Sequence, residues 1–242
     1  MKMKVRVRSV SCRSRMHAHE AKQLIHTANI SMKDVLMAPP APRTGALLVD
    51  ASNGCVLAEA HGRDALMDAL GEYRHTAHCA AGKRSPVDVY VSLEPRSCTG
   101  CDEALRSLVK LAPRSVFVGL THPARGERGR AMRVLASSGI ARVEVAERND
   151  AGPDECAAAA ACYDTNEALV VRCSLGAPFS LLKYAMTLDG RIAASSGHSS
   201  WVSGRESREL VHRIRATSEA VIIDYWRRNA EKGRPETHCP SR

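Results

Sequence analysis

The amino-acid sequence predicts an α/β protein that contains a mostly parallel sheet, and two observations lead to this fold class. Short segments rich in β-branched residues alternate with amphipathic helical segments between residues 45 and 146. The chain has 242 residues, of which 44% are hydrophobic, so it is long enough to bury a substantial core.

The first predicted element is an amphipathic helix in "HEAKQLIHTANISMKDVLM". We expect it to end at Pro39-Pro40, because proline breaks a helix. The next segments, "GALLVD" and "CVLAEA", predict a β-hairpin, since Asn53-Gly54 between them suits positive backbone angles. The apolar positions of the helix, at mixed three- and four-residue steps, are Leu24, Ile25, Ala28, Met32, Val35 and Leu36.

Alternating strands and helices follow the hairpin. The predicted strands are "VDVYVSL", "SVFVGL" and "ARVEVA", and the predicted helices between them are "CDEALRSLVKLA" and "RGRAMRVLASSG". We interpret residues 151–177 as a connector rather than a new domain core, and its alanine-rich part favours helix.

A second unit begins at Pro178. "FSLLKYAMTLDGRIAASSG" predicts a strand and a turn, and "SRELVHRIRATSEAVII" predicts a helix that runs into a strand. The apolar pattern stops after Ile223. The predicted organisation is a basic tail at 1–16, a first domain at 17–150, the connector at 151–177, the beginning of a second domain at 178–223 and an irregular tail at 224–242.

The amino-acid composition limits which classes of partner this chain could bind. A net charge of +9 permits an anionic ligand, but much of this charge lies in the two terminal segments, which we interpret as solvated tails. Only 4% of the residues are aromatic, which argues against a nucleic-acid partner. No apolar run reaches the roughly 18 residues of a membrane helix. Nine cysteines without a secretory apolar segment indicate a reducing compartment.

The stretch "EPRSCTGC", residues 94–101, has features of a zinc site. Zinc deaminases bind zinc with a histidine and two cysteines, and a glutamate two residues after the histidine moves the proton. Here His75 precedes the strand "VYVSLEP", and Cys98 and Cys101 follow it. This order resembles the CMP/dCMP-type deaminase fold. The segment "VYVSLEP" most resembles the deaminase half of the bifunctional riboflavin-biosynthesis deaminase-reductases.

By this resemblance His75 matches the histidine ligand and Cys101 matches the last cysteine ligand. Ala77 stands in place of the glutamate, and Arg96, a permanent cation, stands in place of a cysteine. Ala41 replaces an asparagine in the family's Pro-Asn-Pro turn. We therefore expect a degenerate deaminase-like domain that neither binds zinc nor deaminates.

Two alternatives remain open for this region. Cys98 and Cys101 could act with His75 as ligands of a structural zinc ion, since their spacing allows it. Residual catalysis could also use another carboxylate, such as Glu94.

The stretch "LLKYAMTLDGRIAASSGHSSWVS" resembles the beginning of the reductase half of the same family, which has a dihydrofolate-reductase-like fold. The expected fold is thus a cytidine-deaminase-like three-layer domain followed by the start of a dihydrofolate-reductase-like domain. The resemblance implies catalytic roles for Lys183 and Asp189, cofactor contacts for Ala185 and Trp201, and substrate contacts for Ser199 and Arg215.

The implied function is the NADPH-dependent reduction of 5-amino-6-(5-phosphoribosylamino)uracil, a phosphorylated pyrimidine, to its ribitylamino form. The resemblance is to the plant or algal pyrimidine reductase and implies a homodimer. The basic, serine-containing first sixteen residues have the composition of a transit peptide and favour a plastid, otherwise the cytoplasm. There is no Gly-x-Gly-x-x-Gly motif, which this reductase fold does not use.

The resemblance covers only the first part of the reductase half, so we expect a truncated reductase domain. A non-catalytic assembly subunit is therefore the alternative function. A deaminase that acts on RNA or DNA is disfavoured, because it would need the glutamate that Ala77 replaces.

Overall fold

The computed structural model describes residues 16–33, 41–79, 85–96, 102–148, 150–193, 195–198 and 202–222. The chain divides into two compact units, Met1–Leu182 and Lys183–Arg242. The helices are α1 (Ala18–Ser31), α2 (Ala65–Cys79), α3 (Asp102–Leu111), α4 (Arg130–Ser137), α5 (Pro153–Leu175) and α6 (Arg205–Ala216). The strands are β1 (Thr44–Asp50), β2 (Val56–Gly62), β3 (Val87–Leu93), β4 (Ser115–Leu120) and β5 (Arg142–Val145).

The first unit contains a five-stranded sheet in the order β2-β1-β3-β4-β5. The hairpin prediction is confirmed: β1 and β2 pair antiparallel, and Gly54 in their connection has a φ of 76°. Strand β1 is also antiparallel to β3, whereas β3, β4 and β5 are parallel. Strand β1 alone runs against the other four strands, so the sheet is mixed and four of its five strands share one direction. The tight turn between β1 and β2 reverses the chain there.

The sheet lies between two helical layers. Alternate residues of each strand face opposite sides, so Val89 and Val118 pack with α2, α3 and α4, while Tyr90 and Phe117 pack with α1 and α5. The Tyr90 and Phe117 rings stack with their centroids 4.8 Å apart. All residues of β3 and β4 are buried, as expected for strands covered on both faces. The predicted three-layer arrangement is confirmed.

Two helices differ from their predictions. Helix α1 ends at Ser31, earlier than the predicted stop at Pro39-Pro40, and Met32 already has half of its surface exposed. Val35 and Leu36, on which the longer helix was predicted, lie outside the described residues. Helix α2 was not predicted, although its sequence carried the signal. Its buried residues recur at helical spacing: Ala65, Leu66, Ala69, Leu70 and Tyr73.

Helix α5 forms in the alanine-rich segment, as predicted, but it does more than connect. Its buried Ala158 packs with α1, and its buried Cys162 lies against β4. A Cβ atom at Gly119 of β4 would collide with the Cys162 sulfur, so close packing of α5 requires glycine there. The first half of this segment therefore belongs to the core of the sheet unit.

The second unit has less regular structure than predicted. Among its described residues, α6 forms as expected, but neither the strand in "FSLLKYAM" nor the strand in "AVII" is present. None of its described residues is buried. A strand needs a paired neighbour for its backbone groups, and no neighbour is provided by the part of this unit that the structure describes.

Arg142 of β5 links the sheet to α1 through ion pairs with two buried glutamates. Its guanidinium donates to both oxygens of Glu144, at 2.7 and 3.0 Å, and to both oxygens of Glu20 on α1. Both carboxylates are buried, and the guanidinium carbon lies 5.0 Å from the centre of the Phe117 ring. One cation therefore compensates two buried anions.

We expect Arg142→Met to lower the free energy of unfolding by about 3–5 kcal/mol, because both buried glutamates would lose their hydrogen bonds to the guanidinium. The matched control is Arg148→Met, whose partner Asp150 is 79% exposed and whose loss should cost less than about 1 kcal/mol. Urea denaturation measures both values. Equal losses in the two variants would show that the buried network contributes no more than a surface pair.

Candidate functional site

Three helices begin at one edge of the sheet. Strand β2 runs in the same direction as β3 and β4, because both β2 and β3 are antiparallel to β1. Helices α2, α3 and α4 follow these strands in the chain, so their first turns lie near the carboxyl ends of the strands. In α/β sheets this edge is the usual place for a ligand. We call it the carboxyl edge.

Glu94, at the end of β3, is fully buried at the carboxyl edge. Its Oε2 accepts hydrogen bonds from the backbone N–H groups of His122, at 3.0 Å, and Gly129, at 2.8 Å. Its Oε1 accepts one from the N–H of Met132 at 3.3 Å. Gly129 is the N-cap residue of α4, so this carboxylate caps the helix and holds the connection from β4 to α4.

This geometry gives Glu94 a structural role. Three backbone N–H groups donate to its two oxygens, so the side chain caps α4. The alternative that Glu94 also carries residual deaminase chemistry stays a prediction.

His122, which the sequence analysis did not single out, is also buried at the carboxyl edge. Its Nδ1 accepts a hydrogen bond from the N–H of Ala124 at 3.2 Å, which places the ring proton of the neutral form on Nε2. Burial lowers the pKa of His122, and the charge of Arg96 lowers it further, against the opposing effects of Glu127 and Glu94. The available sequence signal was a histidine two residues after a buried strand.

The structure does not place His75 at the carboxyl edge. His75 is exposed and lies ten residues after Ala65, the first residue of α2, about 15 Å along the helix. The start of α2 instead carries Asp64 and Leu66, and Leu66 packs in the core. His75 therefore lies away from the first turns of these helices.

The other parts of the expected zinc site are only partly described. Arg96 is exposed just after β3, whereas Cys98 and Cys101 lie outside the described residues. Within the described ranges, no group of three His, Cys, Asp or Glu side chains is arranged to hold a metal ion.

The reductase candidates lie in the second unit. Lys183, Asp189 and Arg215 are exposed, Ala185 is half-buried, and Ser199 and Trp201 lie outside the described residues. No contact brings Lys183, Asp189 and Arg215 together in the part that the structure describes. The joint site that the resemblance implies therefore stays a prediction.

Asp189 belongs to a closed turn in "TLDGR". Its side chain accepts a hydrogen bond from the Thr187 hydroxyl and pairs with Arg191 at 3.1 Å. The backbone N–H of Thr187 donates to the carbonyl of Arg191 at 2.9 Å, and Gly190 has a φ of 79° that suits glycine. The turn holds Asp189 in a fixed orientation at the surface.

Comparison with known proteins finds relatives that cover the sheet unit and a family model that matches the second unit. Residues 178–228 match the family model of the RibD C-terminal domain. The riboflavin biosynthesis protein PYRR, chloroplastic, of Zea mays is 35% identical over 217 residues, which are 86% of this chain and 34% of that protein. Its Arabidopsis thaliana counterpart is 34% identical over 215 residues, with the same two shares. The chain thus spans about a third of the length of these relatives.

Solved structures share the fold. RibD of Acinetobacter baumannii, form 1, is 24% identical with a TM-score of 0.64, and covers 83% of this chain and 53% of that one. A Thermotoga maritima diaminohydroxyphosphoribosylaminopyrimidine deaminase/5-amino-6-(5-phosphoribosylamino)uracil reductase is 23% identical with a TM-score of 0.67, covering 83% and 54%. Together with the sequence relatives, these matches confirm the resemblance to the deaminase-reductases.

We expect Glu94→Gln to lower the free energy of unfolding by about 1–3 kcal/mol, because the amide nitrogen cannot accept the backbone donors that the carboxylate satisfies. The control is Glu147→Gln, which lies after β5 and contacts the same connection between β4 and α4. Glu147 is exposed and accepts from Thr121 at 3.2 Å, so its loss should cost less than about 1 kcal/mol. Chemical denaturation of both variants at neutral pH provides the comparison, and an equal cost would refute the capping role.

His122 should make the first unit less stable in acid. Its folded-state pKa lies below its unfolded value, so its contribution is fully present above about pH 6.5 and is lost as the pH falls through the folded pKa. His122→Asn keeps an acceptor oxygen for Ala124 and should flatten the pH dependence. Denaturation at about pH 7.5 and pH 5.5 tests this. The exposed His75→Asn is the control, and a slope unchanged in His122→Asn would contradict the assignment.

Proposed function

We propose that this chain takes part in riboflavin biosynthesis, in the NADPH-dependent reduction of 5-amino-6-(5-phosphoribosylamino)uracil. The observation that carries the proposal is the match of residues 178–228 to the RibD C-terminal domain, in the same segment that contains the Lys183 to Arg215 motif. The two plant relatives named PYRR support the same pathway over 86% of this chain.

The proposed roles use the chemistry of each side chain. NADPH, when bound, supplies a hydride. Lys183 would polarise the group that is reduced or hold the phosphate, and Asp189 would orient the substrate or exchange a proton at the turn that fixes it. Arg215 presents an exposed guanidinium suited to the substrate's phosphate. Ser199 is proposed to contact substrate, and Ala185 and Trp201 to border the cofactor.

The described part of the second unit does not by itself enclose a dinucleotide. None of its described residues is buried, and ligand sites bury most of the ligand surface. The proposed activity therefore rests on the sequence match and the motif rather than on a formed pocket.

The first unit is proposed to be a scaffold and dimer surface without deaminase activity. Glu94 is committed to capping α4, Arg96 follows β3 where a thiolate ligand is expected, and His75 lies three turns along α2. The core of the first unit is built from apolar residues of the sheet and of the helices on its two faces.

A plastid is the proposed location. The names of the two plant relatives include the word chloroplastic, and the first sixteen residues of this chain are basic and lack acidic residues. In the part of the chain that the structure describes, no helix is both long and apolar enough to cross a membrane.

The function is tested by titrating the full chain with NADPH and then measuring NADPH oxidation with the phosphorylated pyrimidine. We expect saturable binding that prefers NADPH over NADH. Lys183→Ala should lower kcat/KM about 100-fold, within the range for a general acid-base group. Lys22→Ala, an exposed lysine of α1, is the control. No binding by the folded chain would refute the proposal for this polypeptide alone.

The absence of a zinc site is tested by metal analysis after dialysis against zinc. We expect well below about one zinc ion per chain, because a guanidinium in place of a thiolate repels the ion. The zinc content per chain should be the same in the Cys98→Ser variant. About one zinc per chain in the original protein, lost in Cys98→Ser, would establish the structural zinc alternative.

A further inference from the structure

Met16, the first residue that the structure describes, is anchored at two points. Its side chain is buried and packs in the cluster that contains Tyr90 and Phe117. Its backbone nitrogen donates a buried hydrogen bond of 2.9 Å to Oε1 of Glu155, which lies 139 residues further along the chain. Residues at the start of a domain are poorly ordered unless a specific contact holds them. The bond to Glu155 is such a contact, and it fixes the position of the Met16 nitrogen.

Glu155 is the third residue of α5 and is only 2% exposed. Its Oε2 accepts the N–H of Gly152 at 2.6 Å, which closes the capping box at the start of the helix. Its Oε1 accepts the N–H of Met16. In the described part of the chain, no ion pair joins Glu155 to a lysine, arginine or histidine side chain. Burial of a carboxylate costs free energy that neutral donors offset only in part.

Two other buried glutamates on the same face of the sheet do have a cation. Glu20 and Glu144 share the guanidinium of Arg142, and Glu144 lies opposite Phe117 in the sheet. The contrast suggests that Glu155 is built for a positive partner as well. A positive charge on the Met16 nitrogen would supply it at hydrogen-bond distance, without any movement of the chain.

The sequence before Met16 indicates how that charge arises. Residues 1–15, which lie outside the described part of the chain, include six lysines and arginines and no acidic residue. This composition is typical of a targeting segment that a peptidase removes. Arg15 directly precedes Met16, so a cut after this basic residue would convert the amide nitrogen of Met16 into an α-amino group. Such a group is mostly protonated at neutral pH.

We propose that a processing peptidase hydrolyses the peptide bond between Arg15 and Met16, and that Glu155 binds the α-ammonium group of the new N-terminus. Water adds its hydroxyl group to the carbonyl carbon of Arg15 and a proton to the nitrogen of Met16. The proton of the new carboxyl group passes to the amine, so the products are a carboxylate and an ammonium. Capture of an N-terminal amine by a prepared acceptor is a known mode of recognition.

The captured amine would add a charge to an existing contact between α5 and the residue before α1. The peptidase acts on the chain before it folds, because the Met16 nitrogen is buried in the folded unit. This processing requires neither NADPH nor substrate. It therefore goes beyond the proposed reduction, and either proposal can fail without the other.

The cleavage is tested by incubating the newly synthesised full chain with a stromal extract of chloroplasts and determining the N-terminus of the product by mass spectrometry. We expect the product to begin at Met16. Arg15→Gln should slow its formation at least about tenfold, because a site that binds a guanidinium discriminates against a neutral amide. Lys4→Gln, far from the bond, is the control and should change nothing. An uncut chain, or a product that begins at another residue, would overturn the proposal.

The ion pair is tested by comparing Glu155→Gln in the processed and the unprocessed chain. In the processed chain the substitution should raise the equilibrium constant of unfolding at least about tenfold more, because it leaves a buried ammonium without its partner. The matched control is Glu94→Gln, a buried glutamate at a helix start on the other face of the sheet. Its effect should be the same in both chains. An equal effect of Glu155→Gln in both chains would refute the ion pair.

A second measurement does not depend on the folding of Glu155→Gln. The α-amino group of the processed chain should react with an amine reagent at least about tenfold more slowly in the folded state than in urea, because capture by Glu155 protects it. The exposed amine of Lys22 is the internal control and should react at similar rates in both states. Equal rates for the α-amino group in the two states would also overturn the capture.

Discussion

The first unit depends on one buried carboxylate at the carboxyl edge of its sheet. Glu94 ends β3, and its oxygens accept backbone N–H groups from the connection after β4 and from the first turn of α4. A buried anion is tolerated in a protein when donors and a helix dipole compensate it. Two strands and a helix are thereby fixed relative to each other at the edge where a ligand would bind.

Buried glutamates also accept backbone N–H groups at helix starts on the other face of the sheet. Glu20 accepts the backbone N–H of His17 at 2.6 Å at the start of α1, and Glu155 accepts that of Gly152 at 2.6 Å at the start of α5. Both carboxylates are buried, and each also links distant parts of the chain, Glu20 to Arg142 and Glu155 to the N–H of Met16. Glu20, Glu94 and Glu155 therefore each have a structural role at the start of a helix.

The two units differ in how they satisfy their apolar and backbone groups. The first has a sheet covered on both faces, with central strands that are buried throughout. The described part of the second has one helix, one closed turn and a row of exposed apolar side chains. The proposed reductase role belongs to the second unit.

The sequence by itself determined the α/β class, the hairpin, the alternating strands and helices after it, and the resemblance to the deaminase-reductases. These follow from local periodicity, from turn residues such as Gly54 and from contiguous motifs. Tertiary structure decided the strand directions, the shortened α1, the burial of α5 and the capping role of Glu94. It also showed that His75 lies far along α2 and that His122 lies at the carboxyl edge. The reason is physical: these properties depend on contacts between residues distant in the chain, and a local pattern does not contain such contacts.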